Sequence, residues 1–176
     1  MKCAINQRKG NLMKVIKSPH KKLLNELELK LKEVFGDNLV SLVLYGSVAR
    51  GDFRKDSDID LLIILENLPK EKLLRQKLFI DVEKEISFDE LYVKGYNTIL
   101  SPILKTSEEA KFLSPLYLDM VDDAVILYDK NSFFQNILAR LKSRLKELGA
   151  IKKKIDDKWY WDLKPNYKFG EDIVLE

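Results

Sequence analysis

This chain of 176 residues holds one cysteine, Cys3, and one histidine, His20. A lone thiol excludes an intrachain disulfide, and the default expectation is a reducing, cytoplasmic setting. A lone imidazole sets aside zinc sites built on several histidines and gives little footing for Ser-His-Asp chemistry. No apolar run approaches the ~20 residues that a bilayer span takes, and residues 1–17 carry no apolar core like that of a secretory signal. No membrane association is expected. Internal repeats and low-complexity linkers are missing as well. The net charge is only +3, with a pI near 8.7. That is too mild to argue for nucleic acid and suits a small anionic substrate equally well.

What is present describes a soluble globular protein, 45% hydrophobic and 34% charged, long enough for one domain with a modest appendage. Residues 1–17 read as a basic N-terminal arm, 18–130 as the core, and 131–176 as an amphipathic helix followed by a β-rich extension. From Pro19, the residues Leu23, Leu24, Leu27, Leu31 and Val34 recur at helical spacing up to Gly36. Residues 39–45 are almost wholly apolar and read as a buried central strand, and 59–65 as a second strand entered by two aspartates. Residues 70–94 read as one long helix whose buried face is Leu73, Leu74, Leu78, Val82 and Ile86. Residues 98–105 form a third strand, placed at an edge or bulge by Pro102. Thr106-Ser107-Glu108-Glu109 starts a helix, a further helix lies near 114–122, and 124–128 is a short strand. Residues 131–148 form a basic amphipathic helix, and 173–175 are a candidate last strand.

The chemistry lies between Gly46 and Asp60. A strand delivers the chain to Gly46, where the missing Cβ allows close backbone approach to a ligand. Ser47 adds a hydroxyl and a backbone N–H, and a helical turn starting there would offer free N–H groups to a phosphate. Arg50 adds a planar cation. Asp58 and Asp60, two apart on a strand, point to one face. Two neighbouring carboxylates repel unless a cation joins them, and Mg²⁺ favours one or two carboxylates together with substrate phosphates. A phosphate cradle beside a metal clamp is the equipment of phosphoryl transfer.

The pattern Gly46-Ser47-x10-Asp58-Ile59-Asp60 resembles that of the DNA polymerase β-type nucleotidyltransferase superfamily. Gly46-Ser47-Val48-Ala49-Arg50-Gly51 and the short chain are similar to its minimal nucleotidyltransferase branch, the MntA-like antitoxins. The motif covers residues 44–65, and the order of elements extends the likeness to about residue 130. The resemblance implies an α/β (α+β) fold, a mixed sheet with helices packed on it. It implies that Gly46, Ser47 and Arg50 bind ATP or another nucleoside triphosphate, and that Asp58 and Asp60 hold one or two Mg²⁺ ions. Asp58, Asp60 and Ser47 would be the catalytic set. The implied reaction moves a nucleoside monophosphate, AMP from ATP, to a hydroxyl. The implied acceptor is a tyrosine on a HEPN-type toxin partner, as in a toxin–antitoxin system.

The resemblance also implies a third carboxylate on a later strand. Residues 98–104 contain none, and Ser101 or Pro102 stands at the corresponding place. Asp89 would serve if residues 86–93 were a strand, and Asp119 and Asp162 are remoter candidates. This gap keeps open a second expectation, a nucleotide-binding interaction module with weak or no transfer. A third arises from the tail, where Lys152, Lys153, Lys154, Lys158 and Lys164 surround Trp159, Tyr160, Trp161 and Tyr167. Such mixtures suit RNA binding or RNA nucleotidyl transfer, or else Trp159 and Trp161 share one strand face and fill a small core.

Overall fold

Leu39–Tyr45 forms strand β1, and all seven of its residues are buried. Only Ser41 and Tyr45 in it carry polar atoms, which suits a strand covered on both faces. It pairs antiparallel with β2, Ile59–Leu65, on one side and with β4, Val125–Asp129, on the other. Strand β3, Leu100–Thr106, lies parallel to β2, so the mixed sheet runs β3-β2-β1-β4. Pro102 therefore sits on an edge strand, where a missing N–H is tolerated. This computed structural model describes residues 19–156 and 158–175, so the expected N-terminal arm and Cys3 lie outside the described residues.

The helices are α1 (Lys21–Phe35), α2 (Gly46–Arg50), α3 (Lys72–Glu83), α4 (Asp89–Val93), α5 (Ser107–Lys111), α6 (Leu116–Asp123) and α7 (Phe133–Leu148). Strand alternation divides the core in two. Leu42, Leu44, Leu61 and Ile63 face Leu23, Leu24, Leu27 and Leu31 of α1 and Phe79 and Val82 of α3. Val43, Tyr45, Leu62 and Ile64 face Tyr117 and Met120 of α6 and Phe134, Ile137, Leu141 and Leu145 of α7. Each such buried side chain contributes roughly 1.5–3 kcal/mol, whereas an exposed ion pair contributes ~1 kcal/mol at most. Helix α7 is thus fastened by its four-residue stripe and not by its many surface charges. Its start is capped by Asp129, whose carboxylate accepts from the N–H groups of Phe134 and Gln135, both at 3.0 Å. No helix among the described residues is long and apolar enough to cross a membrane.

Four expectations are corrected. The long helix over 70–94 is two helices, broken at residues 84–88. Ser87 Oγ accepts from the Asp89 N–H and starts α4 afresh. The buried face is Phe79, Val82 and Ile86, while Leu73, Leu74 and Leu78 are exposed. Spacing alone favours the leucines, but α3 turns Phe79 and Val82 into the core that α1 covers. In α1, Val34 is exposed and does not join the buried stripe. The candidate strand at 173–175 is not a strand. The carbonyl of Val174 accepts from Arg144 Nε at 2.9 Å, and no strand among the described residues pairs with this segment.

After α7 a hairpin forms from β5, Ile151–Ile155, and β6, Lys158–Asp162. Trp161 docks on the body of the domain, with Nε1 donating to the Leu118 carbonyl at 3.1 Å. Trp159 stays 54% exposed, so the two indoles share a face but not a core. The neighbouring lysines are matched by carboxylates: Lys152 with Asp123 at 3.1 Å, Lys153 with Asp162 at 2.6 Å and Lys164 with Glu171 at 2.8 Å.

His20 is fully buried at the start of α1, with its ring edge-on to Phe53 and Tyr96. Burial holds its imidazole below the ordinary value of 6.5. The unfolded chain therefore takes up this proton more readily than the fold, so the contribution is complete above about pH 6.5 and is lost as pH falls below it. Thermal unfolding should show the wild type losing stability more steeply between about pH 7 and pH 5 than His20→Phe. Parallel curves would contradict this.

Candidate active site

The register of the sheet assembles the site. Tyr45, the last residue of β1, stands directly across from Asp60 on β2, and Asp60 stands beside Ser101 on β3. Paired residues share a face, so Tyr45, Asp60 and Ser101 form one row on the side covered by α6 and α7. Asp58 lies just before β2, two residues from Asp60, in the loop that leads into the strand.

At Gly46 the chain leaves β1 with φ +71°, a conformation that side chains disfavour. A Cβ built at Gly46 would overlap Asp60 Oδ2 and stand 2.9 Å from its Cγ. The Asp60 carboxylate is thus laid against the backbone of Gly46, and only glycine leaves it room. Helix α2 begins here and keeps its place through buried Val48 and Ala49. It ends at Gly51, in the left-handed conformation, whose N–H donates to the Ser47 carbonyl at 2.8 Å. The amides of this first turn, at Gly46, Ser47 and Val48, are those a helix start leaves without intrahelical acceptors.

The electrostatics single out Asp60. Burial pushes its carboxyl above the usual range, the Asp58 carboxylate pushes it further, and the Arg50 guanidinium opposes both. Arg50 also pairs with Asp52, Nε to Oδ2 at 3.2 Å. The phenol of Tyr45 is pushed up to about 12, first by burial and then by Asp60 and Asp119. The partly buried Asp60 carboxylate and the exposed Asp58 carboxylate repel each other, and the Arg50 guanidinium offsets only part of that repulsion. Their hard oxygen donors fit a small divalent cation, which would relieve that repulsion.

The structure brings Gly46, Ser47, Arg50, Asp58 and Asp60 into one neighbourhood. It does not bring Asp89 there: that carboxylate opens α4 and accepts from Ser87 Oγ at 3.1 Å. Asp162 is engaged by Lys153. Asp119 is exposed on α6, and its charge raises the Tyr45 phenol. Among the described residues no group of three or more histidines, cysteines, aspartates or glutamates is placed to hold a metal. Ser101 occupies the place beside Asp60. Tyr45 was not foreseen in the site. The signal for it was its position as the last residue before Gly46, which becomes informative once β1 and β2 are paired.

Gly46→Ala should displace the Asp60 carboxylate and impose a backbone strain of about 1 kcal/mol. The expected outcome is a folded, modestly destabilised protein whose divalent-cation affinity, measured by calorimetry, is lost or weakened more than tenfold. Unchanged affinity would contradict the contact.

A family profile described as a nucleotidyltransferase domain matches residues 21–117. A candidate protein adenylyltransferase of Methanocaldococcus jannaschii is 35% identical over 143 residues, covering 80% of this chain and 92% of its own. A second candidate protein adenylyltransferase of that organism is 30% identical over 82 residues, covering 47% of this chain and 75% of its own. Among solved structures, a toxin–antitoxin crystal structure with AMP-PNP aligns with a TM-score of 0.45 at 15% identity, covering 71% of this chain and 91% of that one. By its match to the profile along 21–117 and its 35% identity to a relative across most of both chains, the protein belongs to the nucleotidyltransferase family, enzymes that move a nucleoside monophosphate from a triphosphate to an acceptor.

Proposed function

We propose that this nucleotidyltransferase moves AMP from ATP to a hydroxyl on a partner protein, with Mg²⁺ held by Asp58 and Asp60. The observation that carries the reading is the Asp60 carboxylate laid against Gly46, with Asp58 close enough to raise it further. The protein acceptor is supported by the name borne by two relatives, protein adenylyltransferase. A tyrosine on a HEPN-type toxin is the specific acceptor proposed, in keeping with the MntA-like motif. The setting proposed is the cytoplasm.

In this reading Gly46 and Ser47 offer backbone N–H groups to the triphosphate, and the Ser47 hydroxyl adds a further donor. Arg50 places a guanidinium where phosphate charge gathers. Mg²⁺, when bound, supplies charge neutralisation and a fixed orientation for the phosphates. The acceptor oxygen bonds to the α-phosphorus, the bond from that phosphorus to the bridging oxygen breaks, and pyrophosphate leaves. The acceptor proton passes to water. Tyr45, with its phenol held protonated well above neutral pH, adds no charge to the site.

Ser101 favours a second reading, a nucleotide-binding module with little transfer, because the residue beside Asp60 contributes no carboxylate. Each ~1.4 kcal/mol of transition-state stabilisation lost slows a reaction tenfold. One experiment separates the readings. Labelled ATP, Mg²⁺ and a HEPN-type partner should give a labelled partner and released pyrophosphate. Asp58→Asn with Asp60→Asn should reduce both by at least about a thousandfold, and Ser101→Asp should raise both. ATP binding with no label and no pyrophosphate would favour the binding module.

A further inference from the structure

The loop between α2 and β2 delivers Asp58, and the pattern around Gly46 says nothing about what holds that loop. Its own turn is short: the Ser57 N–H donates to the Arg54 carbonyl at 3.2 Å, and Ser57 Oγ accepts from the Arg54 N–H at 2.9 Å. Beyond this turn the loop is fastened to the segment that leads into β3. The Asn97 N–H donates to the Lys55 carbonyl at 2.8 Å, Lys55 Nζ donates to the Lys94 carbonyl at 3.4 Å, and the Ile59 N–H donates to the Ile99 carbonyl at 2.9 Å.

Phe53 anchors the other half. Its ring centroid lies 4.9 Å from that of His20, nearly perpendicular, and 6.4 Å from that of Tyr96. His20 and Tyr96 meet edge to face at 5.5 Å, which closes a triangle of three rings. One ring comes from the start of α1, one from the Asp58 loop and one from the approach to β3. His20 is fully buried, and Phe53 packs against the core on the α1 side of the sheet. Edge-to-face contacts favour one mutual orientation of the rings in addition to their burial. The Asp58 loop thus hangs from an aromatic anchor on the face of the sheet opposite to Asp60.

We propose that Phe53 is a positioning residue for the metal site: locked between His20 and Tyr96, it sets where the loop presents Asp58 to Asp60. The proposal rests on the reading of Asp58 and Asp60 as a divalent-cation site. Groups that orient metal ligands from outside typically change affinity 10–100-fold when removed. Loss of the Phe53 ring leaves Asp60, fixed by β2 and Gly46, in place and releases only its partner.

The test is Mn²⁺ binding to the full chain without nucleotide, followed by electron paramagnetic resonance, at a temperature where circular dichroism shows each variant folded. Phe53→Ala should bind Mn²⁺ at least about tenfold more weakly than wild type, and Phe53→Tyr, which keeps the ring, should restore the affinity. Phe53→Leu keeps the apolar volume without the ring and serves if the alanine variant fails to fold; it too should bind weakly. Wild-type affinity in a folded Phe53→Ala or Phe53→Leu would overturn the proposal while leaving the cation site standing. Absence of Mn²⁺ binding by the wild type would overturn both.

Discussion

The contact between the Gly46 backbone and the Asp60 carboxylate is the constraint on which the site depends. It exists because β1 ends at Tyr45 directly across from Asp60, so the turn out of β1 must pass over the acid that opens β2. A side chain at Gly46 would break the contact, and a one-residue slip of β2 would turn Asp60 into the opposite core layer. The buried strands on both sides make that slip costly. Leu61 and Ile63 are committed to the α1 layer, and Leu62 and Ile64 to the α6 and α7 layer. The packing of the core thereby fixes the placing of one charge.

That charge is not neutralised from within. Asp60 is partly desolvated, Asp58 adds a second negative charge, and Arg50 offsets only part of it. A fold holds such a pair at some cost in stability, and the proposed divalent cation with a polyphosphate would relieve it. Ser101 beside Asp60 adds no charge to the pair, so in the proposed site the two carboxylates hold the cation and the phosphates of the substrate would add further oxygen ligands.

Much of this was legible in the sequence. The apolar runs at 39–45 and 59–65, the glycine between them and the two acids at one spacing required only strand periodicity and turn chemistry. The edge position of Pro102 and the helix start at Thr106 followed from single-residue rules, and the latter forms a complete capping box with Glu109. What was not legible depended on partners distant in the chain. Leu73, Leu74, Leu78, Val82 and Ile86 had the spacing of a buried face, yet only Val82 and Ile86 are buried, joined by Phe79 in the core cluster that includes α1. Asp89 was a candidate ligand only while residues 86–93 could be read as a strand. The anchoring of the Asp58 loop by His20, Phe53 and Tyr96 joins residues 33 to 76 positions apart, which no local pattern reports.

In the proposed reaction Asp58 and Asp60 together form a divalent-cation site facing the triphosphate. An anomalous-difference map from a crystal soaked with Mn²⁺ and a non-hydrolysable ATP analogue tests it most directly. The expected result is a peak bonded to oxygens of both carboxylates and to the phosphates, with the phosphates over Gly46 and Ser47. A nucleotide bound elsewhere, or a peak that touches neither aspartate, would contradict it.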